Sequence, residues 1–307
     1  MSVSDQHGTT TDAGARVLFM LDDPTTTPAD ADALAAAVHP ADPSAPQVSV
    51  LDLAVTRGDG IFETLDAIDG HGQALEPHLA RLANSARLLD LPAPSLELYR
   101  EGIRQAIEAS GHPRLSVKLV LTRGVEGAGI CSGWVYAEPV PDFSAARTEG
   151  VTVVTLDRGY KHDVAQTSPW LLQGAKTLSY AVNKSVYREA ERRGADDVIF
   201  ISSDGFVLEG PTSTVVLQFG THLVTPSTDQ GILAGTAQAA VFEFGEANGF
   251  TTEYRTVTPD ELLAADTVWL ASSVRQIVPV VAIDGTPRGF DTAVHTAALD
   301  YLLARRS

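Results

Sequence analysis

The stretch Gly174-Ala175-Lys176-Thr177-Leu178-Ser179-Tyr180 decides how this chain is interpreted, because it carries one of only four lysines in 307 residues. Lys176 lies beside small residues that leave room for a flat ring, just before a helix predicted over residues 180–193. The remaining lysines occupy ordinary positions: Lys118 on the polar side of an alternating run, Lys161 in a loop, and Lys184 on a polar helix face.

A second stretch, Asp204-Gly205-Phe206-Val207-Leu208-Glu209-Gly210, follows and places an acid on a turn. A lysine amine can form an imine with an aldehyde cofactor, and a nearby acid can keep a pyridine nitrogen protonated so that the ring accepts electrons. Lys176 and Glu209 together therefore indicate a pyridoxal-phosphate enzyme. The alternative for Glu209 is an ordinary acid on a surface turn.

Composition narrows the classes of partner. The net charge is −17, so we expect neither nucleic acid nor an anionic membrane surface as a partner, and a local cluster of cations must attract any anionic ligand. Cys131 is the only cysteine, which excludes an intrachain disulfide and a thiolate metal cluster. The sequence has no H-E-x-x-H or C-x-x-C motif, no P-loop, no apolar membrane span and no secretory signal. We expect a cytoplasmic protein that binds a small-molecule substrate and no metal.

Hydrophobic periodicity predicts a mixed α/β (α+β) chain with two domains. We expect a disordered tail at 1–15, a small N-terminal α/β domain at 16–138, a linker at 139–150 and a larger C-terminal cofactor-binding domain at 151–307, with the cofactor in the cleft between the domains. The clearest predicted helices are 77–89, 95–110, 235–248 and 292–305. Strands are predicted at 17–21, 48–54, 61–68, 115–122, 151–156, 197–201, 214–218, 223–225, 252–257, 267–271 and 278–283, and the Pro-rich stretch 24–46 is predicted to be a helical insertion.

Several motifs in this order resemble one known family. The Lys176 stretch with Asn183 is similar to the K-x-L-N-Y-x-x-N segment of the fold-type IV pyridoxal-phosphate enzymes, the class IV aminotransferase family. The stretch from Asp204 to Gly210 and Arg57-Gly58-Asp59-Gly60-Ile61-Phe62-Glu63-Thr64-Leu65 also match its motifs, and the similarity covers roughly residues 48–283. This family contains branched-chain and D-amino-acid aminotransferases and aminodeoxychorismate lyase.

The resemblance implies a role for each group around the cofactor ring. Lys176 would bind the cofactor covalently and then move the proton at the α-carbon of the substrate or its equivalent. Tyr180 would hydrogen-bond the phenolic oxygen of the ring, and Glu209 would pair with the pyridinium nitrogen.

The resemblance also implies a phosphate site. Arg81, in His78-Leu79-Ala80-Arg81-Leu82, would bind the phosphate with Ser273 and with the amides of Gly235, Thr236 and Ala237 at a helix start. The alternatives are a solvated helix arginine and an ordinary loop serine. The chain departs from the family pattern at Thr214, where an asparagine is usual, at Ala237, which lacks a hydroxyl, and at Gln238, which replaces a basic residue.

Substrate-binding positions differ from those of the best-known aminotransferases. The loop after Thr122-Arg123-Gly124 lacks the R-x-H carboxylate trap of D-amino-acid aminotransferases, and the motifs resemble aminodeoxychorismate lyase more closely. Phe62 and Arg275 are then the candidate substrate-binding residues. The alternative for Arg275 is a structural arginine that faces a neighbouring carboxylate.

We therefore expect a pyridoxal 5'-phosphate-dependent 4-amino-4-deoxychorismate lyase that releases pyruvate and 4-aminobenzoate for folate biosynthesis. A transaminase of D-amino or branched-chain amino acids is the alternative, and a cofactor-less binding protein on the same fold is the third. The resemblance implies a homodimer.

Overall fold

The computed structural model describes residues 15–306 of the chain, and these form two units. The N-terminal unit contains the described residues up to Pro141, the short segment Ala175–Tyr180 and Arg306. The C-terminal unit contains Asp142–Gly174 and Ala181–Arg305. The segment that carries Lys176 thus belongs to the N-terminal unit, although it follows the first part of the C-terminal unit in the sequence. Of the tail predicted to be disordered, 1–15, residues 1–14 lie outside the described residues, and Ala15 is described and buried.

The N-terminal unit is built on a six-stranded sheet in the order β2-β1-β6-β5-β3-β4. Each neighbouring pair is antiparallel, and β3 pairs with β5 along its whole length. Side chains of β3 alternate between the two faces of the sheet, so that Ile61, Glu63 and Leu65 share one buried face. The strands are β1 (Val17–Leu21), β2 (Val38–Ala41), β3 (Gly60–Ile68), β4 (His71–Gly72), β5 (Arg114–Thr122) and β6 (Ser132–Pro139).

Two long helices, α3 and α4, pack against this sheet. Ser95 caps the N-terminus of α4 by accepting a hydrogen bond from the Leu98 amide, and Gly111 ends the helix with a φ of 61°. The helices predicted at 77–89 and 95–110 are thus confirmed within two residues at each end. The helices of this unit are α1 (Ala31–Ala36), α2 (Leu53–Arg57), α3 (Leu75–Leu88) and α4 (Leu96–Ser110).

The strand predicted at 48–54 is wrong, because α2 begins at Leu53. Asp52 caps this helix by accepting from the Ala54 amide, and its other carboxylate oxygen accepts from the hydroxyls of Thr122 and Ser132 at 3.0 and 2.9 Å. These long-range bonds bury Asp52 and turn the chain where local propensity favoured an extended strand. The predicted helical insertion at 24–46 contains α1, but it also contributes strand β2.

The C-terminal unit is built on a mixed sheet in the order β11-β10-β9-β12-β13-β7-β8, and β14 pairs with β13. The pairs β7–β8, β7–β13 and β10–β11 are parallel. The strands are β7 (Val151–Asp157), β8 (Asp197–Ile201), β9 (Thr214–Phe219), β10 (His222–Pro226), β11 (Thr251–Arg255), β12 (Thr267–Ser272), β13 (Gln276–Ile283) and β14 (Thr286–Pro287).

Helices α8 and α10 contribute to one buried apolar cluster of this unit, and α7 contributes to another. The helices are α5 (Ser144–Glu149), α6 (Val164–Thr167), α7 (Ala181–Arg192), α8 (Thr236–Ala247), α9 (Pro259–Ala264) and α10 (Thr292–Ala304). Helix α5 lies within the predicted linker, where it is too short for a periodic signal. Helix α9 was not predicted, although Thr258 and Glu261 form a capping box at its start.

The predicted fold class is confirmed: the chain is mixed α/β and has two sheets. The exact domain boundaries and the cleft stay predictions. Within residues 15–306, no helix is long and apolar enough to cross a membrane. The same residues contain no group of three or more His, Cys, Asp or Glu side chains placed to hold a metal ion.

Candidate active site

The backbone of Lys176 is held on both sides. Its amide donates to the Oγ of Ser85 on α3 at 3.1 Å, and its carbonyl accepts from the Phe62 amide on β3 at 3.0 Å. The Leu178 amide continues this pairing by donating to the Gly60 carbonyl at 2.8 Å. The segment therefore runs along the end of β3 like a short extra strand, which fixes the position from which the lysine side chain starts.

The side chain of Lys176 lies over an aromatic ring. Its Nζ is 4.5 Å from the centroid of the Phe62 ring, a cation–π distance. Tyr180 packs edge-on against the same ring at 5.5 Å between centroids, and the Nζ of Lys118 lies 5.8 Å from it. The structure thus brings together three predicted site residues, Lys176, Tyr180 and Phe62. Lys118, which the sequence places on the polar side of β5, is a neighbour that sequence reasoning gave no role.

Arg81 forms a buried ion pair with Glu63. Its Nε and Nη2 donate to the two carboxylate oxygens at 2.6 and 2.7 Å, and Nδ1 of His78 lies 2.7 Å from the same carboxylate. The side chain of Glu63 is 0% exposed, that of His78 1% and that of Arg81 9%. Arg81 is therefore not the solvated helix arginine considered as an alternative. Sequence reasoning missed Glu63 and His78, although both belong to the quoted motifs.

Burial and charge act in opposite directions on this cluster. Burial raises the pKa of the Glu63 carboxyl, but the charge and hydrogen bonds of Arg81, together with His78, outweigh it and lower the pKa to about 2. Burial lowers the pKa of His78; the positive charges of Arg81 and Lys176 act in the same direction, while Glu63 opposes them. At neutral pH the cluster thus contains an ionised Glu63, a charged Arg81 and a neutral His78.

In the C-terminal unit, Glu209 follows β8 and pairs with it through its backbone, since the Phe200 amide donates to the Glu209 carbonyl at 2.9 Å. Its half-buried carboxylate accepts from the Leu233 amide at 3.1 Å. Burial raises the pKa of Tyr160 to about 12; the charge of Glu209 adds to this rise and Arg158 opposes it. Asn183 of α7 donates to the Pro211 carbonyl at 2.6 Å and so holds the segment that follows Glu209.

The predicted phosphate residues of the C-terminal unit meet at the start of α8. Gly235 is the N-cap of this helix, and the hydroxyls of Thr236 and Ser273 lie 3.0 Å apart. Amides in the first turn of a helix have no partner within the helix, and the helix dipole is positive there. Two converging hydroxyls at such a position suit a phosphate group. These side chains fit pyridoxal phosphate.

Two residues that depart from the family pattern make close contacts in the structure. A Cβ on Gly235 would lie 2.3 Å from the Oγ1 of Thr214, so the threonine requires a glycine opposite it. Gln238 is buried and donates to the Tyr254 hydroxyl at 3.0 Å, where a basic residue is usual in the family. The neutral side chain is thus satisfied within the unit.

Arg275 donates to the buried carboxylate of Asp197 at 2.8 Å, and its side chain is 13% exposed. Burial lowers the pKa of Arg275, but the charge of Asp197 outweighs it and the pKa is raised. This pair fits the structural alternative for Arg275; its contact with substrate stays a prediction. Arg147 of α5 donates to the carbonyls of Arg275 and Val274 at 3.0 and 3.2 Å. Sequence reasoning missed Arg147, and nothing in its local sequence distinguishes it.

The sequence matches the family model of class IV aminotransferases over residues 60–283. The chain belongs to the class IV aminotransferase family. A relative from Mycobacterium tuberculosis, named as a bifunctional aminodeoxychorismate lyase / D-amino acid transaminase, is 44% identical over 254 residues, which cover 79% of this chain and 88% of the relative.

Solved structures of this family are similar throughout the chain. A fold IV transaminase from Curtobacterium pusillum is 53% identical with a TM-score of 0.91, and the match covers 95% of this chain and 98% of that one. The pyridoxal-phosphate-bound form of a hypothetical aminotransferase from Mycobacterium tuberculosis is 38% identical with a TM-score of 0.84, and covers 94% and 99%. The predicted family, fold and cofactor are confirmed: this class IV aminotransferase family member is a pyridoxal-phosphate-dependent enzyme. The alternative of a cofactor-less binding protein is therefore set aside.

Proposed function

We propose that this enzyme is a 4-amino-4-deoxychorismate lyase that releases pyruvate and 4-aminobenzoate. The observation that carries the proposal is the Phe62 ring with Lys176 4.5 Å and Lys118 5.8 Å from its centroid. Aminodeoxychorismate is an unsaturated ring with two carboxylates. An aromatic wall beside the catalytic lysine, with the cation of Lys118 at its other side, suits both the ring and the charge of such a substrate. The printed name of the 44% identical relative includes this activity.

Transamination of D-amino acids is the second candidate. The same relative is named for both activities, and the Curtobacterium pusillum protein at 53% identity is named as a transaminase. Against it stands the loop after Gly124, which lacks the R-x-H carboxylate trap. Lyase and transaminase need the same cofactor residues, so substrate contacts decide between them. Branched-chain amino acids are a further substrate class for the transaminase alternative.

Each cofactor-binding residue has a proposed task. When bound, pyridoxal phosphate supplies an electron-accepting ring. Lys176 holds the cofactor covalently and then takes a proton from the substrate carbon next to the amino group, and its fixed backbone limits where this amine can reach. Tyr180 donates to the phenolic oxygen, and Glu209 keeps the pyridine nitrogen protonated. Arg81, Ser273 and the start of α8 at Gly235, Thr236 and Ala237 bind the phosphate.

Phe62, Lys118 and Arg275 are the proposed substrate-binding residues. In a chain of net charge −17, an anionic substrate needs a local concentration of positive charge. Lys118 supplies it next to Phe62, on the face of β3 opposite Glu63. Lys118 is exposed, and its ammonium would pair with a carboxylate of the substrate.

The test compares absorbance and products for the purified enzyme, Lys176→Ala and a control, Lys184→Ala, which removes an exposed helix lysine. The enzyme and the control should show a visible cofactor band that borohydride abolishes, and Lys176→Ala should lack it. Incubation with aminodeoxychorismate should release pyruvate and 4-aminobenzoate. Keto acid from D-alanine or branched-chain L-amino acids without any 4-aminobenzoate would refute the lyase and favour the transaminase.

We also infer a cytoplasmic homodimer. The 50–55 segment and the 124–130 loop of the N-terminal unit are joined by the bond from the Leu53 amide to the Gly124 carbonyl at 2.9 Å. They expose the apolar side chains of Val50, Leu51 and Ile130 at 77%, 64% and 63%, and exposed apolar side chains on two joined segments suit a contact surface. Light scattering should give twice the chain mass, and Leu51→Asp should shift it towards the monomer. A monomeric mass for the unaltered chain would refute the inference.

A further inference from the structure

We propose that Glu63 and His78 are positioning residues that hold the Arg81 guanidinium in the orientation that binds the cofactor phosphate. The proposal goes beyond the substrate reaction and rests on the cofactor and on the predicted role of Arg81. Two observations support it, the geometry of the ion pair and the charge state of the cluster, and the position of His78 and Arg81 on α3 determines how the test is designed.

The geometry of the ion pair between Glu63 and Arg81 fixes the plane of the guanidinium. Glu63 accepts from Nε and Nη2 of Arg81 at 2.6 and 2.7 Å, so both carboxylate oxygens are engaged by one edge of the guanidinium. Such a two-point contact sets the direction of the guanidinium plane as well as its position. Because the Glu63 side chain is 0% exposed, water cannot replace either bond. A flexible arginine would instead lose conformational freedom each time it bound a phosphate, and this loss weakens binding.

The charge state keeps the pair intact. The pKa of Glu63 is lowered to about 2, so the carboxylate is ionised at any pH at which the enzyme works. A carboxylate only accepts hydrogen bonds, so Nδ1 of His78 at 2.7 Å donates to it. This bond fixes one tautomer of a neutral imidazole and leaves Glu63 with three donors around it.

The cluster also lies on the helix face that holds the lysine. His78, Arg81 and Ser85 are three or four residues apart on α3 and therefore share one stripe of its surface. Ser85 accepts from the Lys176 amide at 3.1 Å. Loss of Glu63 could thus act through Arg81 alone or through a shift of the whole helix, and the experiment must separate these two routes.

Pyridoxal distinguishes an effect through Arg81 from a shift of the whole helix, because it has the aldehyde and the ring of the cofactor but no phosphate. Dissociation constants for pyridoxal phosphate and for pyridoxal would be measured by absorbance titration of the apoenzyme without substrate. Four proteins are compared: the unaltered chain, Glu63→Gln, Arg81→Met and the double variant. Glu63→Gln keeps the shape of the side chain and removes its charge, whereas the double variant leaves no unpaired charge in the interior.

We expect Glu63→Gln to raise the dissociation constant of pyridoxal phosphate by about tenfold or more and that of pyridoxal by less than about twofold. In the Arg81→Met background, Glu63→Gln should change neither constant further. His78→Gln should show a smaller loss in the same direction. Glu63→Asp, which keeps the charge but shortens the reach, should fall between Glu63→Gln and the unaltered chain.

If Glu63→Gln weakens the binding of pyridoxal phosphate and of pyridoxal equally, the proposal is overturned, because the effect would then come from a shift of α3 that displaces Lys176. A further loss in the double variant relative to Arg81→Met would overturn it as well. If Glu63→Gln does not fold, the same two constants for Glu63→Asp and the double variant decide the matter. Arg81→Met without effect on pyridoxal phosphate would remove Arg81 from the phosphate site. None of these results depends on whether the enzyme is a lyase or a transaminase.

Discussion

Replacement of Gly235 by alanine should damage both the fold and the cofactor site. The new Cβ would lie 2.3 Å from the Oγ1 of Thr214 and 3.2 Å from the Cβ atoms of Thr214 and Gln238. The first distance is far below van der Waals contact, so the strand β9 or the start of α8 must move. Overpacking of this kind costs about 1–3 kcal/mol, and alanine is also a poor N-cap. We expect Gly235→Ala to lower the free energy of unfolding by about 2 kcal/mol.

The matched control is Gly289→Ala. Gly289 is exposed, its φ is not in the left-handed region, and a Cβ there would meet nothing within 4 Å. At such a site the substitution is neutral or stabilises by less than about 1 kcal/mol. Adding Thr214→Ala to Gly235→Ala removes the 2.3 Å contact and should recover most of the lost stability.

The assay is urea unfolding of the apoenzyme, followed by titration with pyridoxal phosphate. Gly235→Ala should weaken the binding of the cofactor about tenfold, because Gly235 positions the first turn of α8, where Thr236 and Ser273 meet. Thr214→Ala in combination should restore part of this affinity. If Gly235→Ala and Gly289→Ala have the same unfolding midpoint and cofactor affinity, the close approach to Thr214 does not govern the site and the reasoning is refuted.

Three further predictions concern charged residues. The pKa of Glu63 falls from an ordinary 4.5 to about 2, so the ionised carboxylate contributes roughly 3 kcal/mol of stability that is present above pH 4.5 and lost as the pH falls towards 2. The free energy of unfolding of Glu63→Gln should therefore vary less over that pH range than that of the unaltered chain. The same pH dependence for both proteins would contradict this prediction. Arg275→Ala should raise the apparent KM while cofactor absorbance persists. It should also destabilise the fold by about 3–5 kcal/mol, because Asp197 is left unpaired. An unchanged KM would show that Arg275 has only a structural role, in its ion pair with Asp197. Lys118→Met should raise the KM for aminodeoxychorismate about tenfold with little change in kcat, whereas Lys161→Met, an exposed loop lysine, should change neither; equal KM values for both variants would exclude Lys118 from substrate binding.

Local sequence was sufficient for elements whose signal is local. Helix α4 has both its N-cap, Ser95, and its terminal glycine, Gly111, in the sequence, and its periodicity spans four turns. Strand β5 alternates between buried and less buried positions from Arg114 to Leu119. The family motifs were also recognised within short segments, because an imine-forming lysine and a partner acid are specific residue types that stand out in the runs around Lys176 and Glu209.

Contacts between distant segments could not be predicted in this way. Asp52 starts a helix where the sequence favours a strand, because Thr122 and Ser132, some 70 and 80 residues away, bind its carboxylate. The sequence left open whether Arg275 is a cation for the substrate or a structural arginine, and it could not show that Asp197 lies 2.8 Å away across a separation of 78 residues. Whether a charged side chain is free or paired depends on what folding brings beside it.

The sequence by itself therefore determined the cofactor chemistry, the mixed α/β class and the candidate residues at Lys176 and Glu209. Only the tertiary structure decided how those residues are held: the backbone of Lys176 between Ser85 and Phe62, and Arg81 against a buried Glu63. The physical reason is that residue type sets what a group can do, whereas its position, charge partner and burial come from segments that are remote in the chain and meet only in the folded protein.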